Sequence, residues 1–148
     1  MAARGTKPTA GPKRFTGQAM TEWTDVENVP FEDAPELPPR APQEVLMDNE
    51  RLMVAREWPK EALRKWRAWS RMPHCKLWGE TDWEFAFDCL EVAAKFLETS
   101  GVGLATELRN REKLLGTTAE YRRDLRIRYV EPEQKAKLTV VRDDFNDL

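Results

Sequence analysis

The sequence predicts an all-α protein: a small helical bundle of about four helices, with a disordered N-terminal arm and a flexible C-terminal tail. Three observations predict it. Residues Thr81 to Thr99 are apolar over most of a helical circumference. The segments on either side repeat Trp, Leu and Tyr at helical spacing. Prolines crowd the first forty residues and are sparse after Pro73. The expected boundaries are an arm over 1–42, a helical core over 43–130 and a tail over 131–148.

In the arm, Pro8, Pro12, Pro30, Pro35, Pro38, Pro39 and Pro42 exclude regular structure over most of its length. Arg4, Lys7, Lys13 and Arg14 make its start basic, with no acid among them. Phe15, Trp23 and Phe31 are isolated aromatics there. Two readings stay open for them: solvation with the arm, or docking on a partner or a neighbouring subunit.

Residues 43–56, QEVLMDNERLMVAR, also support two readings. Val45, Leu46, Leu52 and Met53 repeat at seven-residue spacing, which favours a helix. The run Leu52–Ala55 fits a short extended piece.

A first clear helix is expected from Pro59 to about Arg71. Proline suits the first helical position, and Pro73 bars continuation. Ala62, Leu63, Trp66 and Trp69 form its expected buried face. Lys60, Arg64, Arg67 and Arg71 fall together on the opposite side. Such a row, one helical turn between cations, can track phosphates; it is also what an ordinary solvated face looks like.

The central helix is the element around which the rest is arranged. Thr81-Asp82-Trp83-Glu84 reads as a capping box, and Gly101 as a left-handed stop. Trp83, Ala86, Phe87, Leu90, Ala93, Ala94 and Leu97 make one apolar row. Phe85, Cys89, Val92 and Phe96 make a second row beside it. Glu84, Asp88, Glu91, Lys95 and Glu98 are left for water. The second row either completes the core of the bundle or meets a neighbouring copy; the two uses are compatible.

A third helix is expected over Val102–Leu115, with Leu104, Leu108 and Leu115 inward and Glu107–Arg111 paired on the surface. Gly116 stops it. Thr117 or Thr118 caps a fourth, lined by Tyr121, Leu125 and Tyr129, made basic by Arg122, Arg123, Arg126 and Arg128, and ended by Pro132. The tail has an apolar run, Leu138–Val141, and an acidic end.

The formal net charge of −2 hides segregation. Residues 22–57 carry net −7, residues 58–79 net +5, residues 80–100 net −5 and residues 101–130 net +3. Alternating blocks suggest a basic surface that meets a polyanion. The N-terminus lacks the apolar core of a signal peptide, and no stretch reaches the length of a membrane span. Cys75 and Cys89 are expected to be reduced thiols in a cytosolic protein. His74 beside Cys75 has no C-x-x-C or H-x₃-H companion, so neither a metal nor a cofactor is expected. There is no phosphate-binding G-x-x-x-x-G-K-[ST] loop and no nucleophile with a base. The chain reads as a binding and assembly protein, not an enzyme.

The order of features carries a resemblance. Trp66-Arg67-Ala68-Trp69 is followed by a Pro-containing link. Then comes Thr81-Asp82-Trp83-Glu84-Phe85, then Glu107-Leu108-Arg109, then Gly116-Thr117-Thr118-Ala119-Glu120-Tyr121-Arg122-Arg123 and Leu125-Arg126-Ile127. This resembles the small terminase subunits of tailed bacteriophages, especially the type in phages of actinobacteria. The resemblance is good over residues 58–130. It implies a homo-oligomeric ring in the host cell cytoplasm that binds double-stranded viral DNA at the packaging start. The ring would deliver that DNA to the large terminase subunit, which holds the motor and nuclease.

Many members of that family open with a helix-turn-helix, which the first forty residues here cannot form. The DNA-binding residues are therefore expected in one of three places, in this order of preference. They are the row Lys60, Arg64, Arg67 and Arg71; the arm Arg4, Lys7, Lys13 and Arg14; and the cluster Arg122, Arg123 and Arg126. Phe85, Cys89, Val92 and Phe96 are the expected ring contact. Two alternatives belong to other classes: a phage structural or adaptor protein with only protein partners, and a dimeric DNA-binding regulator.

Overall fold

The computed structural model describes residues 22–133. In chain order its elements are β1 (Thr24–Glu27), β2 (Gln43–Met47), β3 (Glu50–Val54), α1 (Lys60–Trp69), a 3-10 turn (Pro73–Leu77), α2 (Glu80–Thr99), α3 (Val102–Leu115), α4 (Ala119–Asp124) and β4 (Ile127–Val130). Over these residues the protein is predominantly helical, with four α-helices, as the apolar periodicity predicts. The described residues also form two small two-stranded sheets that the periodicity does not predict.

The core forms where α1 and α3 pack on α2. Ala86, Cys89, Leu90, Ala93 and Ala94 of α2 are fully buried. Apart from Leu90 these side chains are small, which lets the neighbouring helices approach closely. Trp66 and Trp69 of α1 and Leu108 and Leu115 of α3 close the core from either side. Trp66 packs edge-on against Trp83 at 6.0 Å and tilted against Phe87 at 5.2 Å. Leu63 and Leu97, expected inside, are left partly exposed at the rim, 39% and 38%.

The helix ends differ in detail from those expected. Gly79, not Thr81, caps α2, and its N–H donates to the Asp82 carboxylate at 2.8 Å. Only the reciprocal half of a box forms, two residues earlier than expected, with Asp82 in place of Glu84 and no side chain at the cap. At the other end Ser100, not Gly101, takes the left-handed conformation (φ 52°), and Gly101 begins α3. Thr118 caps α4 by accepting from the Tyr121 N–H at 3.2 Å. The fourth helix is short. Arg126 turns to φ 59° and the chain leaves as β4, so Tyr129 belongs to a strand and not to the helix face expected for it.

Gly116 ends α3 at φ 73°, and a Cβ there would lie 3.1 Å from His74 Nε2 and 3.2 Å from Leu125 Cδ1. Gly116→Ala is expected to lower the unfolding free energy by about 1–2 kcal/mol, through both backbone strain and crowding. A urea titration that shows no loss would count against a rigid turn at this point.

Residues 22–42 correct the expectation of a disordered arm. β1 pairs in parallel with β4, Thr24 opposite Ile127 through Glu27 opposite Val130. Val26 is fully buried. Phe31 stacks on Trp83 at 5.9 Å, and its N–H donates to the Arg71 carbonyl at 3.1 Å. The prolines do forbid helix here. They permit an extended segment that lies along the helices, tied down by its few large side chains.

Arg40 completes that segment as a buried anchor, 5% exposed. Its guanidinium forms a bidentate pair with Glu91 (3.0 and 3.1 Å), pairs with Glu98, donates to the Glu57 carbonyl and lies 5.6 Å from the centre of the Trp58 ring. The carboxylates hold the guanidinium proton more tightly than usual, and in return Arg40 lowers the pKa of Glu98. Two residues read as solvated, Glu91 and Glu98, are therefore partners of an arginine distant in sequence.

Residues 43–54 resolve the remaining ambiguity toward strand. β2 and β3 form an antiparallel hairpin, Gln43 opposite Val54 through Met47 opposite Glu50. The two-residue turn is Asp48-Asn49, both at positive φ (51° and 61°). Left-handed geometry at both turn positions matches the twist of paired strands, and Asp and Asn tolerate it best after glycine. The acidic tail beyond Glu133, with the run Leu138–Val141, lies outside the described residues.

Candidate nucleic-acid interface

Two basic surfaces stand out among the described residues. The first is the outer face of α1. Burial of Ala62, Trp66 and Trp69 against α2 fixes the rotation of α1 and turns Lys60, Arg64 and Arg67 to solvent. Arg71, one residue beyond the C-cap, is exposed as well. Among the described residues none of these four has a carboxylate within 4 Å, whereas Arg40, Arg51, Arg56, Lys65, Arg111 and Arg128 all do. Lys65 is on the same helix, but Glu112 of α3 holds it at 3.1 Å and it lies 5.8 Å from the Trp69 ring centre. The row is thus sorted from its neighbour: Lys65 ties α1 to α3, and the other four cations are uncommitted.

The second surface is a groove of about 350 Å³ at the β1–β4 pair, lined by Trp23, Arg122, Arg123, Ile127, Arg128 and Tyr129. Arg122 lies 4.6 Å from the Tyr129 ring centre and donates to the Gly116 carbonyl at 3.1 Å. The guanidiniums of Arg126 and Arg128 lie 5.4 and 5.8 Å from the Trp23 ring centre. Arg128 also donates to Asp25 at 2.8 Å, which raises its pKa. Arginines held against aromatic rings keep outward N–H groups in fixed directions, an arrangement suited to phosphate oxygens.

The structure therefore brings Arg122, Arg123 and Arg126 together with Arg128, as the sequence grouped them, and adds Trp23, which sequence reasoning did not place with them; Tyr129 joins them from a strand and not from a helix face. It keeps them apart from the α1 row as a separate surface. Arg4, Lys7, Lys13 and Arg14 lie outside the described residues. The signals that point to the groove are the lone Trp23 and the alternation Ile127-Arg128-Tyr129-Val130, which reads as strand.

Of the residues expected at the subunit contact, Cys89 is closed off within its own chain. Cys89 has no exposed surface, because α3 covers it; burial pushes its thiol up to about 12. Phe85, Val92 and Phe96 are only half-exposed and pack on the core of their own chain, with Arg111 of α3 lying 5.9 Å from the Phe85 ring centre. The second row thus contributes to the core of its own chain while Phe85, Val92 and Phe96 keep part of their surface open.

His74, weighed above only as a metal ligand, has a structural role. It is 1% exposed. Its Nε2–H donates to the Leu115 carbonyl at 2.7 Å, and its Nδ1 accepts from the Tyr129 hydroxyl at 2.6 Å. Burial, reinforced by nearby Arg122, lowers its pKa and favours this neutral tautomer. Among the described residues no three His, Cys, Asp or Glu side chains are grouped as for a metal, and no helix is long and apolar enough to cross a membrane.

Comparison with known proteins bears on these surfaces. The family model described as "Phage terminase small subunit" matches residues 3–146. No curated protein and no solved structure matches the chain.

Proposed function

We propose a DNA-binding and assembly mechanism for this chain, which belongs to the phage terminase small-subunit family and so has the general role of a non-catalytic adaptor in DNA packaging. In this reading the protein assembles into a ring in the host cytoplasm. The ring engages double-stranded viral DNA at the packaging start and passes it to the large terminase subunit. The motif order resembles the actinobacterial-phage type, to which this reading assigns the chain.

The observation that carries DNA binding is the uncommitted row Lys60, Arg64, Arg67 and Arg71 on a helix whose rotation is fixed by buried tryptophans. Cations already paired with carboxylates must give up a partner to meet phosphate; these four have none to give up among the described residues. The groove at Trp23 is a second contact surface of the same sign.

The test is a salt titration of duplex DNA binding by fluorescence anisotropy. The expected log–log slope is steep, about −0.9 per phosphate contact. Absence of binding at near-physiological salt would favour an adaptor with protein partners only. Native mass spectrometry of the same sample reads the assembly, and a single high-order oligomer is expected.

A further inference from the structure

We propose that the β2–β3 hairpin joins subunits: the open edge of β3 in one copy pairs with the open edge of β2 in the next. The inference rests on the assembly reading above and gives it a contact.

The hairpin is built to be presented. Its base is cross-tied: Arg56 Nε donates to the Ala41 carbonyl at 2.8 Å, and Trp58 Nε1 donates to the Pro38 carbonyl at 3.1 Å. Arg40 and Arg56 then bind Glu91 of α2 at 3.0 and 3.1 Å. Beyond that base the strands are exposed, Val45 alone being half-buried. A two-stranded hairpin is barely stable by itself in water. Among the described residues this one has an open edge on both sides. It also carries a largely apolar face: Val45, Met47, Leu52 and Val54 share one side, with Met47, Leu52 and Val54 exposed by 55%, 44% and 44%. Natural edges of this kind are normally blunted or covered.

Charge selects the occupant and the mode. On the opposite face Glu44 and Arg51 are diagonal neighbours, and their side chains pair at 3.4 Å. If β2 of a second copy extends the sheet beside β3, in the same register, each Arg51 gains a second Glu44 on the same diagonal. Pairing β3 with β3 about Leu52 sets Arg51 diagonal to Arg51. Pairing β2 with β2 about Val45 sets Glu44 diagonal to Glu44. Like charges on one face of paired strands are unfavourable, and opposite charges are favourable. A copy of this same hairpin, placed head to tail, supplies matching backbone groups, an apolar row that continues Val45–Leu52, and the opposite charge. Head-to-tail contacts close into rings when the rotation allows.

The experiment uses the full chain. Leu52→Lys with Val54→Lys places cations in the apolar row without touching the helices. Native mass spectrometry is expected to show a fall from the oligomer to monomer. The melting temperature should move by less than about 3 °C, since both side chains are exposed. A variant oligomer of unchanged mass overturns the hairpin contact while leaving the assembly reading intact. A monomeric wild-type protein overturns the assembly reading itself. As a second readout, Val45→Cys and Leu52→Cys chains are purified separately, mixed and oxidised; Cys75 and Cys89 are buried and do not compete. Disulfide-linked mixed pairs are expected. Links only between identical chains, or no links, overturn the head-to-tail mode.

Discussion

Replacing Arg64 and Arg67 together with glutamate is expected to weaken duplex DNA binding on the order of 100-fold near physiological salt. The figure follows from removing two charge-assisted hydrogen bonds to phosphate, at roughly 1.5–3 kcal/mol each, of which the screened, exposed setting keeps the lower end. The salt dependence carries more information than the affinity. Each phosphate contact contributes about 0.9 to the log–log slope, so the slope should fall by nearly two. Both side chains are solvent-exposed and neither pairs with a carboxylate among the described residues, so the thermal melt should hardly move. The matched variant Arg123→Glu with Arg126→Glu probes the groove. If that pair abolishes binding and the α1 pair changes nothing, the principal DNA contact lies at Trp23 and not on α1.

Substituting His74 by alanine is expected to cost about 2–4 kcal/mol of unfolding free energy, because removing the imidazole leaves the Leu115 carbonyl and the Tyr129 hydroxyl without a partner, at roughly 1–3 kcal/mol for an unsatisfied buried group, and opens a void. The ring is buried and bridges three elements: it sits in the 3-10 turn, donates to the end of α3 and accepts from β4. The wild-type protein should carry a pH signature that the variant lacks. The folded state lowers the His74 pKa, so the unfolded chain takes up a proton first as pH falls. Stability from this group is whole above the unfolded value of about 6.5 and drains as pH drops below it toward the folded value. Urea midpoints between about pH 7.5 and 5 would read it. A His74→Ala protein with the same acid slope as wild type would place the proton uptake elsewhere.

How far the sequence led depended on the range of the interactions. The four helices were legible because their apolar rows repeat within a few residues. α3 has the bounds expected of it, and the Glu107–Arg111 pair forms at 2.7 Å. The α1 row was legible for the same reason. What escaped was long-range. Arg40 looks like a lone base among prolines until Glu91 and Glu98 reach it. The segment 22–42 looks unstructured because its order comes from single anchors, Val26, Phe31 and Arg40, spaced without period. The hairpin at 43–54 alternates weakly, since both of its faces carry apolar residues, and seven-residue spacing mimicked a helix there. The groove needed β1 beside β4: the alternation at 127–130 signals a strand, but no local pattern announces which strand it pairs with.

The β1–β4 pair has a consequence for when the basic groove comes into being. Asp25 and Arg128 meet across a sequence separation of 103 residues. Closing so long a loop has an entropic cost that an assembled interior offsets, so this join is expected to form after the helices have packed. Trp23 and the arginines of the far end converge only at that moment. A chain still emerging from the ribosome, or one clipped near either strand, has the α1 row but not the groove. The second cationic surface is therefore expected only on subunits in which β1 has paired with β4 and set Trp23 beside Arg126 and Arg128.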